Sequence, residues 1–149
     1  MKKNSKKKAA RAVRKSRGIT KIDLSILLTA VLLLLERLPK GVMMRFSDGE
    51  QYYIEYMSFF DMIPFGYGDF FPLISAVLTV MLGLVLLGCR LLGKEKLREI
   101  AVLTAYLAFF AAVTSLFMGI RFSGITVIRA VIPFLLFAVI QLLHKCRTE

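Results

Sequence analysis

Four stretches of this chain are too apolar and too long to be single faces of a water-soluble fold. No charged side chain occurs between Pro72 and Cys89, nor between Ile100 and Met118. A run of about 20 apolar residues, rising ~1.5 Å each as a helix, covers the ~30 Å hydrocarbon layer of a membrane. The four blocks run over about 22–38, 72–92, 100–118 and 125–143. The whole chain is 57% hydrophobic, against roughly 45–50% for a soluble domain, and the excess sits in these blocks. The expected fold is an all-α integral membrane protein: a four-transmembrane-helix bundle over 22–149, one domain, preceded by a basic tail at 1–21. The first block is the shortest, with Asp23 near one end and Glu36-Arg37 near the other. Lys21 and Arg37 extend its reach by snorkelling. No small-x-small cleavage signal follows it, so it reads as an uncleaved anchor.

Charge sets the expected direction of threading. Ten of the 21 Lys and Arg residues lie in positions 1–21, where there is no acid. The rest of the chain is nearly neutral, so the net charge of +11 belongs to the tail. Arg90, Lys94, Lys96, Arg98, Lys145 and Arg147 fall on the same side as that tail. Arg37, Lys40, Arg45, Arg121 and Arg129 fall on the other. By the bias of basic loops toward the cytoplasm, both termini are expected inside a cytoplasmic (inner) membrane. The loop 39–71 and the turn 119–124 are expected outside. Cys89 and Cys146 then face a reducing compartment, which disfavours a structural disulfide and leaves inert thiols, with palmitoylation the functional alternative.

The outer loop holds most of the distinctive chemistry. Asp48-Gly49 between β-prone flanks signals a two-residue hairpin turn, pairing 42–47 with 50–56 as an extracytoplasmic β-hairpin between helices 1 and 2. A helix over 50–62, with Ser47 and Glu50 as a capping box, is the competing expectation. The acids Glu36, Asp48, Glu50, Glu55, Asp61 and Asp69 are expected to form a solvated surface, since their spacing matches no calcium loop. Phe59, Phe60, Phe65, Tyr67, Phe70 and Phe71 suit headgroup depth.

Within the loop, Gly66-Tyr67-Gly68-Asp69 resembles the selectivity filter of potassium channels, with Pro72 following as it often does there. That resemblance implies an ion pathway lined by backbone carbonyls. Pro64 and Phe65 depart from it, standing where the filter has Thr and a small β-branched residue. Gly-x-Gly-Asp also resembles the motif of one class of intramembrane aspartyl protease. That class needs a second Asp at the same depth, and Asp23 lies at the opposite face. A structural turn entering the second span, with Pro72 in its first helical turn, is the expectation carried forward. Tyr56, Phe59, Pro64, Phe65, Gly66, Tyr67, Phe70 and Pro72 also follow a pattern that looks like a set of small bacterial four-span membrane proteins with no assigned activity. This implies topology rather than chemistry.

Inside the spans, Ser75, Thr79 and Gly83, and separately Ala101, Ala105, Ala108, Ala112, Ser115 and Gly119, form stripes of small residues at helical spacing. Small residues let membrane helices approach closely. Hydroxyls such as Thr104 and Thr114 are expected to bond back to their own helix. Arg129 is the one ionised side chain set inside a span, about 7 Å deep at ~1.5 Å per residue. A structural ion pair with Glu36 or Asp69 is expected, with anion recognition or outward snorkelling as competing roles. Pro133 should kink the fourth span one turn deeper. The one histidine, His144, has neither a nucleophile partner nor metal-ligand spacing.

The expected function is therefore non-enzymatic, without cofactor or metal: a multi-pass protein that scaffolds or binds a partner, a membrane protein being one candidate, with no molecular activity legible. A cation channel or transporter using Gly66, Tyr67, Gly68 and Asp69 is the alternative. The oligomeric state separates the two, because such a filter needs four copies around one axis. The tail is expected to be disordered and to contact anionic lipid through Lys2, Lys3, Lys6, Lys7, Lys8, Arg11, Arg14 and Lys15, in preference to nucleic acid. A peptide of residues 1–21 should partition onto vesicles only when they contain anionic lipid, gaining about 1 kcal/mol per basic residue at the surface. Binding indifferent to salt and to anionic lipid would contradict the electrostatic account.

Overall fold

The computed structural model describes residues 20–47, 49, 51–61 and 69–147. Residues 1–19 of the basic tail and the residues Gly66, Tyr67 and Gly68 lie outside these, whereas Lys21, expected to close the tail, is the first residue of a helix. Among the described residues the chain forms helix α1 (Lys21–Glu36), a hairpin of β1 (Val42–Ser47) and β2 (Tyr52–Met57), then α2 (Phe71–Leu92) and α3 (Glu95–Met118). A π-helical turn (Gly119–Ser123) follows, and α4 (Val127–Arg147) ends the fold.

Three of the four helices, α2, α3 and α4, are long and apolar enough to cross a membrane. Helix α1 has 16 residues and falls short of that length on its own. Its start is well defined. Thr20 caps it, accepting from the Asp23 N–H while the Asp23 carboxylate accepts from the Thr20 N–H at 3.0 Å. Two orphan donors are thereby satisfied reciprocally. Gly93 ends α2 in the left-handed region (φ 61°) with its N–H on the Cys89 carbonyl, the usual way a helix stops at glycine. Only Lys94 then separates Gly93 from α3, so α2 and α3 form a tight antiparallel pair.

The helices close into a ring in chain order. α1 touches α2 and α4, and α3 touches the same two. What lines the ring is small. Ala101, Ala105, Ala108, Ala112 and Ser115 of α3, with Ser75, Ala76 and Thr79 of α2, are all buried. Larger side chains fill the remaining space, among them Leu32, Leu82, Leu86, Ile132, Leu136 and Ile140. The outward faces are apolar as well: Leu27, Leu34, Leu84, Leu103, Phe110, Phe117 and Phe134 are all exposed. Apolar residues outside and small ones inside are the arrangement that lipid favours, since lipid tails give bulky side chains no reason to hide. The internal hydroxyls are satisfied locally. Thr29, Thr79, Thr104 and Thr114 donate to the carbonyls of Ser25, Ser75, Ile100 and Phe110, each one turn earlier. Pro133 lies inside α4 and is buried.

One end of the ring is pinned by charge. Arg90 of α2 pairs with Asp23 of α1 at 3.0 Å, and Lys21 donates to the Lys145 carbonyl of α4 at 3.2 Å. The hairpin caps the other end. β1 turns Val42, Met44 and Phe46 into the core and packs against the π-helical turn. The strands pair antiparallel with Ser47 opposite Tyr52 and Val42 opposite Met57. The hairpin expectation thus holds over the helical one, with a correction to its second strand. A two-residue Asp48-Gly49 turn would place Ser47 opposite Glu50. The observed connection spans 48–51, with Gly49 at φ 79°. A slip of two residues leaves every side chain on its expected face, because the strand period is two. Phe46 stacks on its partner Tyr53 at 5.4 Å between ring centroids.

Gly124 is the glycine this geometry depends on most. It has φ 110°, and a Cβ there would strike the Met43 methyl group of β1. Gly93 has positive φ as well but faces open space. Gly124→Ala should therefore destabilise by more than the ~1 kcal/mol typical of a glycine in that region. Gly93→Ala should cost less. Met43→Ala should recover part of the Gly124→Ala loss, read as unfolding midpoints in detergent. Equal losses for the two alanine variants would show that the hairpin does not press on this turn.

Candidate functional site: buried polar groups beneath the hairpin

Two polar clusters lie at the hairpin-capped end. The first is built around Arg129, in the first turn of α4, which is 1% exposed. Its Nε donates to the Ser115 Oγ of α3 at 3.0 Å, and its Nη2 pairs with the Asp69 carboxylate just before α2. Asp69, rather than Glu36, is therefore its acid, and the side chain turns inward instead of snorkelling to the surface. Placing a cation in the first turn of a helix sets it against the positive end of the helix dipole. Asp69 supplies the compensating charge in a setting where water cannot.

The local sequence makes room for this pair. Gly119, one turn after Ser115, lies against the guanidinium, and a Cβ on it would come within 2.8 Å of the guanidinium carbon. Thr126 caps α4, accepting from the Arg129 N–H at 3.2 Å, and its own hydroxyl donates to the Gly41 carbonyl. The capping residue of α4 therefore also ties down the chain leaving α1. The π-helical turn closes with the Gly124 N–H on the Gly119 carbonyl at 2.6 Å. Four segments thus converge on one arginine.

The second cluster is centred on Glu36, the last residue of α1, with no exposed surface. Its Oε1 lies 3.0 Å from the Thr79 hydroxyl and 3.4 Å from the Ser75 hydroxyl, both on α2. Its backbone carbonyl accepts from the Phe59 N–H at 3.0 Å. Phe59 is buried and packs over Gly41, where a Cβ would sit 2.9 Å from the ring. The expectation of a solvated acidic surface is corrected for these two carboxylates. Glu36 and Asp69 are buried, whereas Glu55 and Asp61 are exposed. Asp48 and Glu50 lie outside the described residues.

The other residues singled out in the sequence are dispersed. Of the filter-like segment, Asp69 alone is described, and it turns into the protein toward Arg129. His144 lies at the opposite end, its Nε2 2.9 Å from the Tyr106 hydroxyl. Beside it a groove of about 310 Å³ is lined by Glu95, Arg98, Glu99, Val102, Leu103, Tyr106 and Leu143. Cys89 and Cys146 are buried and form no disulfide. Among the described residues, no three His, Cys, Asp or Glu side chains are grouped to hold a metal ion. The anionic-lipid residues of the tail, Lys2 to Lys15, lie outside the described residues. No family model, curated protein or solved structure matches the chain.

The Glu36 cluster was not singled out by spacing. Ser75 and Thr79 stand out as a small-residue stripe, and Glu36 as a boundary charge. Only the packing of α1 on α2 brings them together.

Breaking a buried pair is costlier than never having had it, because the surviving charge is left without a partner. Asp69→Asn and Arg129→Met should each destabilise by about 3 kcal/mol. The double variant should lose no more than either single one, about 3 kcal/mol, which is a coupling of about 3 kcal/mol in a double-mutant cycle. Additive losses would mean that the two groups do not interact in the folded protein.

Proposed function

We propose that this chain is a four-span, multi-pass protein of the cytoplasmic membrane, with both termini in the cytoplasm. It works without catalysis, as a scaffold whose outer hairpin docks a membrane-protein partner. Helix α1 supplies the fourth span. Its 16 residues cover about 24 Å at ~1.5 Å per residue, and Lys21 and Arg37 at its ends can reach the headgroups. Its packing between α2 and α4 supports this, because it runs alongside two helices that are themselves long enough to cross. Lys21, Arg90 and Lys145 gather at one end and the hairpin sits at the other, in keeping with a basic inner face.

The observation that carries the docking role is β2. Tyr52, Tyr53, Ile54 and Tyr56 are all more than half exposed, on both faces of a strand whose outer edge has no neighbour among the described residues. The partner strand β1 is held in the core, so this edge is presented rigidly. An aromatic edge strand with unpaired backbone groups is a template for strand addition, and soluble proteins generally blunt such edges. Aromatic side chains also give large contact area at low entropic cost. The channel reading draws less support, because Asp69 is engaged by Arg129 within the same chain.

Photo-crosslinking amino acids at Tyr53 and Tyr56 in intact cells, combined with impermeant thiol labelling of Ser47→Cys and Glu95→Cys, tests both parts. A discrete protein adduct lost with Ile54→Asp, and labelling of Ser47→Cys alone from outside, are expected. Adducts with lipid only would overturn the docking role. Outside labelling of Glu95→Cys would overturn the orientation.

A further inference from the structure

Glu36 is not used by the docking role, and the hydrogen atoms around it can be counted. Thr79 Oγ1 lies 3.0 Å from Glu36 Oε1 and 2.9 Å from the Ser75 carbonyl oxygen. The carbonyl can only accept, and the Thr79 hydroxyl has one hydrogen. If Glu36 is a carboxylate, two acceptors compete for that hydrogen. The Ser75 hydroxyl, 3.4 Å away, is at the outer limit of a hydrogen bond. Glu36 Oε2 is then a charged oxygen, buried and without a hydrogen-bond partner among the described residues. A buried charge lacking a counter-charge and donors is among the costliest arrangements a protein can hold. If Glu36 is instead a carboxylic acid protonated on Oε1, every close contact is filled. The acid donates to Thr79 Oγ1, Thr79 donates to the Ser75 carbonyl, and Oε2 is an uncharged carbonyl oxygen.

Nothing among the described residues around the site offers a compensating cation. Helix α2 has no charged residue from Phe71 to Cys89, and α3 has none from Ile100 to Met118. In the connection after α1, Arg37 and Lys40 are both exposed. On α4, Arg129 is engaged with Asp69 and Ser115. On the hairpin, Arg45 and Glu55 are exposed, as is Asp61 beyond it. The segment 62–68 contains no acid or base other than Tyr67.

We propose that Glu36, Thr79 and Ser75 form a proton-binding site, in which Glu36 is a carboxylic acid at neutral pH and shares its proton with Thr79. The ligand is the proton itself, held between α1 and α2 beneath Phe59. The site goes beyond the docking role and rests on the four-span reading only in placing the end of α1 within the apolar layer.

Infrared spectroscopy of the full chain in lipid vesicles tests it. The carbonyl stretch of an uncharged carboxylic acid should be present at neutral pH. It should shift when glutamate carboxyls carry heavy carbon, and vanish in Glu36→Gln, whose unfolding midpoint should match that of the parent because the amide mimics the acid. The isotope shift reads the unsubstituted protein, so the result stands even if the variant fails to fold. Absence of the band, or its survival in a folded Glu36→Gln, overturns the proposal. So does loss of the band on adding sodium at fixed pH, since the ligand would then be a metal cation.

Dicyclohexylcarbodiimide supplies a separate readout of depth. The acid proton moves to a carbodiimide nitrogen and the Glu36 oxygen bonds the central carbon. The acyl group then migrates to nitrogen, with no leaving group, adding the mass of one reagent. Labelling of Glu36 by this reagent and not by a water-soluble carbodiimide is expected. Equal labelling by both, with the infrared band intact, would keep the proton and remove α1 from the apolar layer.

Discussion

Arg129 is an obligate cation in a place that tolerates one poorly. It stands in the first turn of α4 with its side chain enclosed, where neither water nor the helix dipole helps it. Every segment near it is shaped by that requirement. Asp69 must come in from the loop before α2, Ser115 must face it from α3, and Gly119 must lack a side chain to leave room for the guanidinium. Thr126 then links the start of α4 to the chain leaving α1 through Gly41. The two segments that flank the hairpin therefore meet at the start of α4, the π-helical turn through Gly119 against the guanidinium and the chain leaving α1 through Thr126 on the Arg129 N–H.

The two ends of the helix ring are built on different physics. At the hairpin end, polar groups are buried and must satisfy one another, so their partners are specific and close. At the opposite end, Asp23 and Arg90 are partly exposed, and such a contact contributes little to stability in the presence of water and salt. Between them the ring is held by close packing of alanine, serine and threonine, with bulky residues turned outward. In a lipid setting that arrangement sacrifices nothing, because leucine gains no more from the core than from the surrounding chains.

The filter-like and protease-like patterns and the buried acids raise one question, which is what sets the surroundings of a carboxylate. Both patterns assign chemistry to Asp69 through its neighbours in sequence. In the fold, the group that determines the behaviour of Asp69 is Arg129, 60 residues away. Glu36 shows the same point from the other side. It carries no motif, yet it is fully buried against the hydroxyls of Ser75 and Thr79.

Much of the architecture was legible from local patterns. The apolar blocks located α2, α3 and α4 to within a few residues, because length and hydropathy are properties of a segment alone. The small-residue stripe of α3 identified its buried face, because helical period places those residues together whatever they pack against. The strand-forming residues flanking Asp48-Gly49 pointed to the hairpin, although the connection proved two residues longer, since turn length depends on how the strands twist against the helices. Arg129 announced that it needed a partner, because a lone cation in an apolar block is unfavourable in any fold. What the sequence could not supply was the choice between Glu36 and Asp69 as that partner, or the meeting of Glu36 with Ser75 and Thr79. Those are decided by how α1 and α2 are set against each other and where the loop re-enters the ring. Such contacts join residues 39, 43 and 60 positions apart, and no local periodicity encodes them.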